Sequence, residues 1–404
     1  MIFLYIDPGT GSMLFSVVIG LVATLYFLSK AFIIKIKFLI TGKGNISKEQ
    51  KKDIVIFSED KRYWGVFKPV IDELEALNVP VTYYSQDKDD PFFRENYKLA
   101  KGEFIGKGNL GFSKLNILEA KICLMTTPGL DVYQLKRSKG VDYYYHVLHA
   151  VDDATSYRLF GLDYFDGVFL TGSYQEAHIR FLEKLRGIRE KELVVAGCTY
   201  LDSLESRLKN FESGGNETTV LLAPSWGPSG ILTKYGESLL TPLADTGFNI
   251  IIRPHPQSLI SEKNTIDSLM EKYTGEKIRW DFNRENLESL AKASIMISDF
   301  SGVIFDYAFL FEKPFIYANC DFDMRPYDAY DVPETPWKFR ILSEIGIPLE
   351  EKNFCNIKAV IEKGIKSESL NQKIRAAKET AWEHRGEAGK IIADNILKKL
   401  EKIN

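Results

Sequence analysis

The stretch "SDFSGVIFDYAFLFEKPFIYAN", Ser298 to Asn319, ends an apolar run in small polar residues and then enters a helix that is hydrophobic on nearly every face. A helix such as Val303 to Phe311 has to be buried all round, so only its N-terminal end can meet solvent or a ligand. Ser301 is expected to cap that helix, and Gly302 to let an anion approach the free N–H groups behind it. The stretch therefore reads as the strand, turn and buried helix of a parallel sheet, with a phosphate site at the turn.

The same alternation extends outward in both directions. "DIVIFSE", "VPVTYYS", "KICLMTT", "DYYYHVLHA", "FDGVFLTG" and "ELVVAG" read as strands, separated by helical runs such as "YWGVFKPVIDELEAL" and "SYQEAHIRFLEKL". A second series follows, with "TVLLAPSW", "FNIIIRPHP", "KIRWDF" and "SIMISDFS" as strands and "GESLLTPLADTG" and "ENLESLAKA" as helices. The fold class is α/β, with two doubly wound Rossmann-like domains and an N-terminal transmembrane helix. The polar segment "KNFESGGNETT", Lys209 to Thr219, reads as the linker between them. The expected organisation is an anchor and juxtamembrane segment over 1–50, a first Rossmann-like domain over 51–212, a second over 217–368, and a C-terminal helix over 369–404. Sheets of this kind bind ligands at the carboxyl ends of their strands, so the two domains should share a cleft.

Composition narrows the function classes. The 404 residues carry a formal net charge of -3, with 45% hydrophobic and 26% charged residues, and no basic patch interleaved with aromatics argues for nucleic acid. Cys123, Cys198, Cys320 and Cys355 are far apart and read as buried, reduced thiols rather than metal ligands or disulfides. No metal site or cofactor is expected. Between Asp7 and Lys30 lie 22 uncharged residues, a helix of about 33 Å, enough to cross a bilayer. Lys30, Lys35, Lys37 and Lys43 follow the span and none precedes it, which orients a single-pass anchor in the cell membrane with the rest of the chain in the cytoplasm.

With no GxGxxG or GxxxxGK[ST] loop, the chemistry has to come from other strand-end residues. In "RPHP", Arg253 and His255 close an apolar strand, and the flanking prolines fix the direction of the imidazole. A guanidinium fork and a histidine suit a phosphate oxygen. Ser225 of "LLAPSW" occupies the equivalent end of the preceding strand. His146 and His149 are three apart, so on one extended strand they face opposite ways; His149, nearer the loop, is the candidate for the cleft and His146 for the core. Asp152 and Asp153 read as a turn or helix start, with metal ligation the alternative. His178, on a surface helix, and His384, in the C-terminal helix, are assigned no role. The loop from Asn319 to Trp337 reads either as a lid over the donor or as a surface connection.

The set "LLAPSW", "RPHP" and "SDFSGVIFDYAFLFEKPFIY", in that order, resembles the CDP-glycerol glycerophosphotransferase family of teichoic acid primases and polymerases. The resemblance implies a GT-B fold, a CDP-glycerol or similar CDP-alcohol donor, and a lipid-linked or glycan acceptor at the membrane. By the resemblance His255 matches the family's histidine beside the donor phosphates, Ser301 its phosphate-binding serine and His149 the histidine proposed as base, so His149 and His255 are the expected catalytic residues. With Ser301, the strand-end and turn residues Ser225, Arg253, Ser298, Asp299, Gly302 and Asp306 make up the expected donor phosphate and nucleotide site. Two departures stand out: "HAVDDA" replaces the family's His-Gly-Thr-Pro, and Ser301-Gly302 replaces Ser-Ser. A nucleotide-sugar glycosyltransferase and a catalytically silent nucleotide-binding membrane protein are the alternatives.

Overall fold

The computed structural model describes Leu25, Ser29 and residues 51–208, 211, 217–283, 285–318 and 322–403. The expected membrane span, most of the polar linker and Cys320 lie outside the described residues. Among the described residues, no helix is long and apolar enough to cross a membrane.

Two parallel sheets form the framework. The first comprises β1 (Lys52–Ser58), β2 (Thr82–Ser85), β3 (Lys101–Phe104), β4 (Ala120–Met125), β5 (Val141–Val147), β6 (Gly167–Leu170) and β7 (Glu192–Val195), in the order β3-β2-β1-β4-β5-β6-β7. The second comprises β8 (Thr219–Leu222), β9 (Asn249–Ile252), β10 (Ile278–Trp280), β11 (Ile295–Ser298), β12 (Phe315–Ala318) and β13 (Ile347–Leu349), in the order β10-β9-β8-β11-β12-β13. Central strands such as "IVIFS" and "IMIS" are buried on both faces, as helices covering both sides of a sheet require. In each sheet the strand order reverses once, between β1 and β4 and between β8 and β11, and the crevice at such a reversal is where these folds bind ligands.

Two edge strands were not expected. β3, "KGEF", is exposed and carries no apolar run, and β13, "IPL", is three residues long with Pro348 at its centre, tolerated because an edge strand can forgo a ladder donor.

The C-terminal stretch is two helices, Glu368–Ala381 and Ala388–Ile403, rather than one. His384 lies between them in a left-handed turn at φ 51°, not in a helix. The first packs with Ile374, Ala377 and Ala381 among Phe305, Phe309 and Trp337 of the second half. The last crosses back, where Ile392, Ala393 and Ile396 complete the core formed by Ile54, Phe67, Ile71 and Leu124 of the first. The cluster around Phe305 and Trp337 also takes in Cys198, Leu201 and Leu204 of the first half beside Ile304 and Ala308. Residues 52–404 accordingly constitute one unit.

Candidate active site

The geometry at the first sheet's edge follows from strand register. Parallel pairing of β4 with β5 aligns Met125 with His146, so Thr126, the next residue, lies beside the end of β5. The fully buried Thr126 hydroxyl donates to the Val147 carbonyl at 2.8 Å, and its oxygen lies 2.8 Å from His149 Nδ1. A hydroxyl has one hydrogen, and here it is committed to the carbonyl. Both bonds form only if Nδ1 carries the hydrogen and donates it to Thr126. Nε2 of His149 is then an unprotonated acceptor. Tyr63 packs edge-on against the ring, with centroids 5.1 Å apart. Burial lowers the His149 pKa to about 4, with Asp152 opposing and Arg62 reinforcing, so the imidazole is neutral at physiological pH.

At the second sheet's edge, His255 has the opposite arrangement. Its Nδ1 accepts the Gln257 N–H at 3.1 Å, leaving Nε2 to carry the hydrogen in the neutral ring. Burial lowers this pKa too, again with help from Arg62. One guanidinium, Arg62 in the turn after β1, thus lowers the pKa of a histidine at the end of each sheet. In the same sheet, the Val303–Phe311 helix after β11 opens at Gly302. The amides of Gly302 and Val303 and the Ser301 hydroxyl have no partner among the described residues, and a Cβ built on Gly302 meets nothing within 4 Å. The Ser225 hydroxyl is buried and likewise unpartnered among the described residues.

Residues 176–330 match the family model for CDP-glycerol:poly(glycerophosphate) glycerophosphotransferase. Over this segment the chain is similar to CDP-glycerol glycerophosphotransferases. The resemblance carried by "RPHP" and "SDFSGVIFDYAFLF" thus holds over the segment containing both. Among solved structures, the wall teichoic acid polymerase TagF aligns at a TM-score of 0.56 and 16% identity, covering 94% of this chain and 97% of that one. A putative UDP-N-acetylglucosamine 2-epimerase from Listeria monocytogenes aligns at 0.58 and 13% identity, covering 87% and 97%. The UDP-GlcNAc 2-epimerase from Neisseria meningitidis bound to UDP-GlcNAc aligns at 0.55 and 15%, covering 86% and 100%. At these identities the likeness is one of fold, and the two parallel sheets are consistent with a GT-B-like arrangement. No curated protein matches the sequence.

Several residues of the expected donor set have structural commitments in the fold. Asp299 is fully buried, and its carboxylate accepts from the N–H groups of Ser225 (3.0 and 3.1 Å), Ile231 (3.0 Å) and Ser301 (3.1 Å). It shapes the turns that present Ser225 and Ser301. The helix spans Val303–Phe311 as expected, but its cap is Gly302, without a side-chain bond, and not Ser301. The Ser298 hydroxyl donates to the Ala223 carbonyl and ties β11 to the end of β8. Arg253 donates to Asp281 and to the Asn283 carbonyl, each at 2.6 Å, so two of its nitrogens brace the loop after β10 rather than pointing a free fork at a phosphate. Asp306, one turn into the helix, has its pKa pushed up to about 7 by burial, and its charge acts on Cys198 and Tyr200 in the interdomain core.

The acidic pair after His149 binds the two halves together. Asp153 accepts from the Trp337 and Lys338 N–H groups at 2.9 and 2.8 Å, capping the Trp337–Ile345 helix, and Asp152 pairs with Lys338 Nζ at 2.7 Å. The loop that departs from His-Gly-Thr-Pro is thus an interdomain brace. His178 is not on the surface: it is buried, with Asp153 at 3.7 Å and Glu334 at 3.6 Å, and Asp153 raises its pKa. The far part of the Asn319–Trp337 loop is docked too, since buried Arg186 holds Asp328 at 2.6 Å and Asp331 at 2.8 Å. Among the described residues no cluster of three or more His, Cys, Asp or Glu could hold a metal. Cys123 and Cys198 are buried as expected, whereas Cys355 is exposed.

His146 is fully buried, as expected, but strand alternation does not separate the histidines. The chain leaves β5 at Val147, and Tyr157 OH reaches both His146 Nε2 (3.0 Å) and His149 Nδ1 (3.4 Å). Sequence reasoning missed Arg62, Tyr63, Thr126 and Tyr157. Nothing in the local pattern distinguishes them, because their relevance depends on β1, β4 and β5 being neighbours.

Proposed function

We propose that this transferase is anchored in the cell membrane by the span between Asp7 and Lys30, with its catalytic domains in the cytoplasm. There it moves a phosphoglycerol unit from CDP-glycerol to a hydroxyl of a lipid-linked or glycan acceptor, in the synthesis of a teichoic-acid-type polymer. The acceptor oxygen attacks the β-phosphorus, the bond from that phosphorus to the bridging oxygen breaks, and CMP leaves with the bonding pair. The acceptor proton passes to His149 Nε2. His255 Nε2–H, Ser301 Oγ and the amides of Gly302 and Val303 donate to the diphosphate oxygens, where charge increases as the bond breaks.

The observation that carries this reading is the contrast in Nδ1 partners, a threonine hydroxyl at His149 and the Gln257 N–H at His255, on two rings that both feel Arg62. A base and a hydrogen-bond donor are the two groups that in-line phosphoryl transfer needs. The family match over 176–330 supports the donor class. Incubating the full-length chain, in detergent with a membrane extract as acceptor, with a panel of CDP-alcohols and nucleotide-sugars tests it. CMP release from CDP-glycerol is expected. Release of UDP from UDP-sugars in its place would establish the glycosyltransferase alternative.

A further inference from the structure

We infer that Thr126 is a positioning residue for the transfer reaction: its hydroxyl fixes His149 as the Nδ1–H tautomer and so keeps Nε2 bare and turned to the acceptor. The inference deepens the proposed function and rests on His149 being the base there. Its own footing is geometric. The Thr126 hydroxyl touches the Val147 carbonyl and His149 Nδ1, each at 2.8 Å. A carbonyl only accepts, so the hydroxyl hydrogen is directed to it and the lone pair to the ring. In the opposite tautomer two lone pairs, on Oγ1 and Nδ1, would face each other at 2.8 Å, while Nε2–H would occupy the position meant to take the acceptor's proton.

The surroundings add to the selection. Tyr157 OH, 3.4 Å from Nδ1 on its other side, is 3.0 Å from His146 Nε2. Where the phenol donates to His146 Nε2 it presents a lone pair to His149, and the second oxygen near Nδ1 is then an acceptor as well. When the acceptor's proton arrives at Nε2, the resulting imidazolium still donates Nδ1–H to Thr126. No heavy atom has to move during the step. The arrangement parallels the way a carboxylate holds a catalytic imidazole in a serine hydrolase, with a neutral hydroxyl and a backbone carbonyl in its place.

The test uses the full-length chain labelled with nitrogen-15 at histidine, and the variants Thr126→Val, which keeps the shape and removes the hydroxyl, and Thr126→Ser, which restores it. Long-range proton–nitrogen correlation reads the His149 tautomer directly. The parent and Thr126→Ser are expected to show a protonated Nδ1 and an unprotonated Nε2. Thr126→Val should show a mixture or the reverse, with kcat for transfer lower by roughly ten- to a hundredfold. KM for CDP-glycerol and Tm should stay near parental. A parent resonance with Nε2 protonated, or a Thr126→Val spectrum unchanged from the parent, overturns the inference. A tautomer that changes with the hydroxyl while kcat does not would leave the positioning intact and remove His149 from the role of base. The two failures are thus distinguishable.

Discussion

At the edge of the first sheet, His149 donates through Nδ1 to a buried threonine and keeps Nε2 bare; at the edge of the second, His255 accepts at Nδ1 from the Gln257 amide and keeps Nε2–H. Both rings are neutral, both are partly buried, and both are acted on by Arg62. What separates them is a single neighbour at Nδ1, an oxygen that accepts in one case and an amide that donates in the other. In the proposed reaction the same side chain is a proton acceptor at the end of one sheet and a hydrogen-bond donor at the end of the other. Identity and exposure do not assign a histidine its role; the partner of its second nitrogen does.

The largest effect expected from breaking this comparison is at His149. His149→Ala should lose transfer by about a hundredfold or more, the scale of a missing general base, while calorimetry shows near-parental binding of CDP-glycerol. His255→Ala should be impaired in both measurements, by about 2 to 4 kcal/mol in transition-state stabilisation. Because the His149 pKa lies at about 4, the base is neutral above that value and protonates only below it. The acidic limb of kcat/KM should therefore fall near pH 4 rather than near 6.5. Near-parental transfer by His149→Ala would erase the contrast between the two walls.

A smaller effect tests the second wall alone. Nothing lies within 4 Å of a Cβ placed on Gly302, so Gly302→Val should fold as the parent does yet crowd a phosphate approaching the helix amides. Nucleotide binding is expected to weaken by about tenfold or more, with little change in Tm. Equal binding would mean that the open space at the helix start holds no ligand.

The smallest effect concerns how the walls are held together. Asp153→Ala removes the acceptor for two helix-start amides across the domain boundary and should lower stability by about 1 to 2 kcal/mol, read from denaturant unfolding. Transfer should decline less than in either histidine variant. Wild-type stability in Asp153→Ala would show that the apolar cluster around Phe305 and Trp337 holds the halves without the brace.

Much of the framework was legible in the chain. The strands with continuous apolar runs and the buried Val303–Phe311 helix announce themselves through hydrophobic pattern, which depends only on near neighbours. β3 was missed because an exposed edge strand needs no apolar run, and β13 because it is three residues long with a proline at its centre. The cap of the Val303 helix was misplaced by one residue, Gly302 in place of Ser301, whose amide is taken by Asp299 two positions upstream.

The sequence by itself determined two α/β halves, the strand ends that carry His149, His255 and Ser301, and the donor class that the motifs resemble. Only the tertiary structure decided which polar groups are open at those ends and which brace the fold. Arg253, Ser298 and Asp299 read as ligand groups, yet each is engaged by partners 28, 75 and up to 74 residues away. Thr126 read as an ordinary strand end, yet it faces His149 from 23 residues away. The physical reason is that a hydrogen bond depends on distance and direction in space. Those are set by the order of strands in a sheet, which local patterning does not encode.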